Sequence, residues 1–372
     1  MTKKRIAILW ALVLAISLGL TACGGGGNAA DNGENASAGG DGDVSQNAAA
    51  DDTVYEFKMD IPDSKDATTG KFLSQWIEDV KEASNGRIVI KLFPSSQLGA
   101  VPDIIDNLKL GVSDIAWASP AMFSGRFPVM EGTNLPLLDI PTARAGTDLL
   151  YDLWEQTDLM QKEFEGLHPL MLHNACPYYF ASAKGGKDIT SLDDLKGMKL
   201  RVQGTYPSIL IKELGAEPIS QHASEVYESL SKRVLDGMLT DITTFRTYKL
   251  SEVTGSVVET QIYRFCAFVL MRPEAYDSLP DDLKKVMDDM SGREASYAFS
   301  DAWTADVDEG IKLYREAGAK TSAFTDAEID TIHRAAEAVN AQWISDMDKV
   351  GYDGQGILDT YVELLEKINS NA

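Results

Sequence analysis

The chain has 372 residues and a formal net charge of −23, from 57 Asp and Glu against 34 Lys and Arg. That balance excludes a nucleic-acid surface, whose phosphates require clustered Lys and Arg. It also obliges any anionic ligand to find a local positive site against the overall field.

The first element in chain order is a leader. Lys3, Lys4 and Arg5 precede an apolar run from Ile6 to about Leu20, too short for a spanning helix and built like a secretory signal. Leu20-Thr21-Ala22-Cys23 ends that run as a lipobox would, so residues 1–22 are expected to be cleaved and Cys23 to carry lipid. Residues 23–52 are rich in Gly, Ala, Asn and Asp. Such a segment buries too little surface to offset its chain entropy and reads as a disordered linker with a reach of roughly 30 Å. No later apolar run is long enough to cross a membrane.

Val54 to Met59 alternates and predicts a strand. Phe72, Leu73, Trp76, Ile77 and Val80 predict a helix stopped by Asn85-Gly86. Arg87 to Phe93 is a second strand, Pro102 opens a helix ended by Gly111, and Ser113 to Ala118 is a third strand. The order recurs: a strand at Leu200 to Val202, a helix from Pro207 to Leu214, a strand at Glu217 to Ile219, a helix capped by Ser224, and a strand near Asp236 to Thr240. Two α/β lobes of similar plan with parallel strands follow. From Asp281 the pattern is helical, with a single long helix expected from Asp282 to about Ala317.

Parallel strands present functional groups at their carboxyl edges. Those edges are Met59-Asp60, Phe93-Pro94, Trp117-Ala118-Ser119, Arg201 to Thr205 (with Tyr206 next) and Leu239-Thr240-Asp241. Facing lobes would bring them to one cleft. In Gly197 to Thr205, Met198, Leu200 and Val202 alternate with Lys199, Arg201 and Gln203. Alternation alone leaves open whether Arg201 meets water or grips a ligand. For catalysis the sequence offers little: His168, His173, His222 and His333 lack metal-site spacing, and neither a nucleophile elbow nor a phosphate loop is present. No metal, cofactor or catalytic residue is assigned.

Four stretches carry a family resemblance: Pro94 to Gly99 (PSSQLG), Leu195 to Val202 (LKGMKLRV), Ser224 to Gly237 (SEVYESLSKRVLDG) and Tyr276 to Met287 (YDSLPDDLKKVM). In this order they resemble the solute-binding proteins of tripartite ATP-independent periplasmic (TRAP) transporters, the DctP-like family, from about Tyr55 to Ile368. The resemblance implies a two-lobed periplasmic-binding-protein (Venus flytrap) fold. Its mixed sheets are flanked by helices, and a long helix crosses both lobes. Lobe I is expected at 53–175 plus 264–302, and lobe II with the C-terminal helices at 176–263 plus 303–372. The resemblance also implies a monomer outside the cytoplasm, tethered to the membrane through lipid on Cys23. Such a protein captures a small organic acid for an ion-gradient-driven permease and is not an enzyme. A sensory receptor of the same fold is the alternative, a lipid-anchored extracytoplasmic enzyme a more distant one, and the motif order disfavours an ATP-driven transporter.

The resemblance places the family's carboxylate clamp on Arg201, whose planar fork suits a carboxylate. Three family positions differ, one of them Ala223 where a phenylalanine is usual. Tyr178 stands where many members carry a second arginine, and Thr240 where many carry an asparagine. With Trp117, Tyr206 and Asp60 they complete the candidate ligand set. The losses of polar partners point to a monocarboxylate with an apolar or aromatic body. Cys176 and Cys266 fall near the family's two crossing segments, and a disulfide between them is a further expectation.

Overall fold

The computed structural model describes residues 52–123, 125–136, 138 and 140–371. The leader, Cys23 and nearly all of the linker lie outside the described residues. Ten strands form the frame: β1 (Tyr55–Asp60), β2 (Ile88–Phe93), β3 (Ile115–Ala118), β4 (His168–Ala183), β5 (Lys199–Val202), β6 (Glu217–Ser220), β7 (Gly237–Asp241), β8 (Thr254–Val258), β9 (Arg264–Met271) and β10 (Lys320–Ser322). Their order is β2-β1-β3-β9-β4-β7-β5-β6, with β8 on β4 and β10 on β8. β1 pairs in parallel with both β2 and β3. β5 pairs in parallel with both β6 and β7. The two lobes thus repeat one plan, each closed by an antiparallel strand, β9 beside β3 and β4 beside β7.

β4 joins the lobes. Its first part, His168 to Pro177, pairs with β9, and from Tyr178 it pairs with β7 and then β8. Nearly all of its residues are buried, which erases the alternation that marks a half-exposed strand. This is why neither crossing strand is visible in the sequence pattern.

Thirteen helices cover the described residues. They are α1 (Thr68–Ala83), α2 (Ile104–Lys109), α3 (Pro128–Gly132), α4 (Ala143–Gln156), α5 (Leu159–Glu163), α6 (Thr205–Glu213), α7 (Ala223–Ser231) and α8 (Thr244–Thr247), then α9 (Pro273–Asp277), α10 (Asp281–Asp289), α11 (Gly292–Glu316), α12 (Asp326–Lys349) and α13 (Gly354–Asn371). α1 buries Leu73, Trp76, Ile77 and Val80 as its spacing requires. It ends where Asn85 and Gly86 turn left-handed, at φ 53° and 79°. α11 is the helix that crosses both lobes. It lies along β4 and touches α1 and α4 on one side and α8 on the other.

Three expectations are corrected. The helix from Asp282 to Ala317 is two helices: α10 ends before Met290, and α11 starts at Gly292, whose φ of 74° breaks the spiral. α7 is capped by His222, whose imidazole accepts from the Ser224 N–H, and not by Ser224. α13 packs on α4, and α12 spans α6 and α3. Cys176 and Cys266 are free and buried. A register shift separates Asn174, opposite Cys266, from Pro177, opposite Arg264. The Cys176 thiol turns toward Asp241, and the Cys266 thiol turns toward the Met130 carbonyl at 3.4 Å.

Candidate functional site

The carboxyl edges of β5, β6 and β7 meet around Arg201. The face that alternation left open is no water face, because Arg201 is 1% exposed. Its Nε donates to the Gln221 carbonyl at 2.9 Å, and Nη2 donates to Gln203 Oε1 at 3.1 Å. Nη1 donates to the Leu239 carbonyl at 3.4 Å and to Thr240 Oγ1 at 3.3 Å. All four acceptors are neutral, and no carboxylate forms an ion pair with Arg201 among the described residues. The fork is oriented without being neutralised. A buried cation in this state is expensive without an anion nearby, and its planar fork has the geometry that pairs with a carboxylate.

Arg201 lines a cleft with a cavity of about 70 Å³. That holds several waters or one small organic molecule. One wall is aromatic and continuous. Tyr263 stacks on Tyr178 with centroids 4.5 Å apart, and Tyr178 meets Phe265 edge-on at 5.8 Å. Phe265 meets Trp303 edge-on at 5.3 Å, and Trp303 lies over Trp117 at 6.5 Å. The Trp117 N–H is spent on His173 Nε2 at 3.0 Å. Burial pushes that histidine down to about 3, so the imidazole is neutral and can accept. The Trp303 N–H has no acceptor among the described residues.

Carboxyls are interleaved with these rings, Asp241 lying directly across the sheet from Tyr178. Asp63 accepts from Thr69 Oγ1 at 2.8 Å and from the Tyr248 hydroxyl at 3.3 Å. Asp241 accepts from Thr243 Oγ1 at 2.6 Å. Burial first raises both carboxyls; the Asp241 charge raises Asp63 further, while Arg201 pulls Asp241 back down. Glu131, 4% exposed, is pushed up to about 7 by burial alone. Among the described lining residues, Arg201 is the single guanidinium or ammonium.

The cleft therefore brings together four of the expected residues, Arg201, Tyr178, Trp117 and Tyr206. Thr240 stands behind Arg201 and positions it. Asp60 does not line the cleft: it is fully buried at the end of β1, both oxygens lack a partner among the described residues, and burial lifts it to about 6. Sequence reasoning missed Asp63, Glu131, Asp241, Tyr248, Tyr263, Phe265 and Trp303. Asp241 alone had a signal, as the last residue of a strand edge.

A family model described as bacterial extracellular solute-binding protein, family 7 (DctP) matches residues 61–346. A marine metagenome TRAP solute-binding protein specific for aromatic acid ligands, solved with metahydroxyphenylacetate, is 28% identical with a TM-score of 0.79. The match covers 84% of this chain and 99% of that one. A TRAP solute-binding protein from Rhodoferax ferrireducens T118, solved with copurified benzoate, is 26% identical with a TM-score of 0.80, covering 86% and 99%. The C4-dicarboxylate-binding periplasmic protein DctP of Rhodobacter capsulatus is 24% identical over 313 residues, 80% of this chain and 91% of that protein.

Proposed function

The chain belongs to the DctP family of bacterial extracellular solute-binding proteins, the TRAP type, and on that premise we propose that it captures a small monocarboxylate with an aromatic or apolar body. The carrying observation is Arg201, a buried cation held by four neutral oxygens in a cleft lined by aromatic rings and carboxyls. The ligand carboxylate docks on the guanidinium, and its ring packs along Tyr178, Phe265 and Trp303. A second carboxylate would find no further cation in the described lining and would meet Asp63, Asp241 or Glu131. The 28% and 26% identical proteins, with metahydroxyphenylacetate and benzoate, support this ligand class.

Closure follows from the same placement. Trp117 and Glu131 come from one lobe, and Arg201 and Tyr206 from the other. A ligand touching both favours the closed arrangement by its differential affinity for it. In this reading the protein is a receptor without catalysis, held at the membrane through Cys23, and it passes its ligand to a TRAP permease. A thermal-shift screen of the mature chain tests the ligand class. Benzoate-like acids are expected to raise the melting temperature, and C4-dicarboxylates or sialic acid are not. The reverse pattern would contradict the reading.

A further inference from the structure

Of the three carboxyls that line the cleft, two have internal partners. Asp63 takes hydroxyls from Thr69 and Tyr248, and Asp241 takes one from Thr243. The Asn134 carbonyl oxygen accepts the Cys266 N–H at 2.8 Å. Glu131 lines the same cleft, is 4% exposed, and has no side-chain partner among the described residues. Its helix does not let it drift. The Glu163 carboxylate accepts the Val129 and Met130 N–H groups at 2.7 and 2.9 Å, pinning the start of α3. Trp343 and Tyr361 crowd Gly132, where a Cβ would come within 2.5 Å of the indole. A fixed carboxyl in a binding cleft with no protein partner is left to water, and a ligand that displaces that water loses affinity unless it replaces the hydrogen bond.

We propose that Glu131 is a second polar anchor, which selects aromatic monocarboxylates bearing a hydrogen-bond donor, a hydroxyl or amino group, on the ring. The inference rests on the aromatic-acid reading above. Arg201, from the β5 lobe, would take the carboxylate, and Glu131, from the α3 lobe, would take the donor. Arg201 bears on Tyr178, Tyr248, Tyr263, His222 and Asp241, whereas no cation bears on Glu131. The two ends of the ligand are thus read by groups of opposite demand. An unsubstituted ring leaves Glu131 unsatisfied, and a second carboxylate meets another acid.

The test is calorimetric titration of the mature protein with benzoate and with 2-, 3- and 4-hydroxybenzoate. At pH 8, above the value of about 7 to which burial raises Glu131, the best hydroxybenzoate is expected to bind at least ~10-fold more tightly than benzoate, as for a hydrogen bond to a charged group. In Glu131→Leu that ratio falls to near unity, while Glu131→Gln, which keeps an acceptor, retains most of it. A purely structural role would shift all four affinities together and leave the ratio unchanged, which overturns the proposal. So does a wild-type ratio near unity, even if Glu131→Leu does not fold; Glu131→Ala is then the second variant. If none of the four acids binds the wild-type protein, the aromatic-acid reading itself fails and this inference falls with it.

Discussion

β1 and β5 occupy the same place in their lobes, each the middle of three parallel strands, and each carries a buried charge at its carboxyl edge. At β5, Arg201 meets four neutral oxygens and opens onto the cleft. At β1, Asp60 meets none among the described residues and lies off the cleft. The strand edge brings a residue close to the cleft. The groups around the edge decide whether its charge is held: Gln203 and Gln221 beyond it and Thr240 on the neighbouring β7 hold Arg201, in one lobe only.

The comparison breaks most visibly at Arg201. Arg201→Ala is expected to fold normally and to weaken ligand binding by at least ~2 kcal/mol, as for loss of one partner of a buried charge pair. Arg201→Lys should recover little of this, since an ammonium cannot reproduce the planar fork. Calorimetry with an aromatic acid checks both. Unchanged affinity in Arg201→Ala would show that Arg201 is structural, like Asp60.

Asp60 gives the opposite outcome. Its carboxyl is raised to about 6 by burial, so the folded state prefers it neutral. The associated stability is complete below the ordinary carboxylate range and is lost as pH rises through about 6. Asp60→Asn is therefore expected to stabilise the protein by on the order of 1 kcal/mol at pH 8 and by nothing at pH 4. Ligand affinity should be unaffected. Thermal melts at the two pH values measure the first, and a gain at pH 4 would contradict it.

Smaller effects sharpen the lobe contrast. The Tyr248 hydroxyl reaches across to Asp63 at 3.3 Å. Tyr248→Phe should weaken ligand binding by about 0.5–1.5 kcal/mol, the net worth of a typical hydrogen bond, with calorimetry as the readout. Smallest of all, reductant should leave the melting temperature unchanged. Cys176 and Cys266 are free, and burial pushes both thiols up, Cys266 to about 12.

Much of the frame was legible because β1, β2, β3, β5, β6 and β7 are local units with alternating or helical signals. Arg201 was legible through the motif at Leu195 to Val202. β4 was not, because nearly all of it is buried and it carries no alternation. Trp303 reads as an ordinary core position on a helical stripe, and only the crossing of α11 beneath the cleft turns it to the ligand side. Glu131 sits in a stretch of Val, Met and Gly with no periodic signal. Its exposure to the cleft depends on contacts with Trp343 and Tyr361, far away in sequence. Asp60 was over-read for the complementary reason, since a strand edge promises a site without saying which way the side chain faces.

The central claim is that Arg201 is the carboxylate receptor of this cleft. The most direct measurement is a crystal structure of the mature protein with a bound aromatic acid. The account predicts both carboxylate oxygens at about 2.7–2.9 Å from the Arg201 guanidinium, with the ring against Tyr178, Phe265 and Trp303. A carboxylate bound elsewhere, with Arg201 still facing only Gln203, Gln221, Leu239 and Thr240, would contradict it.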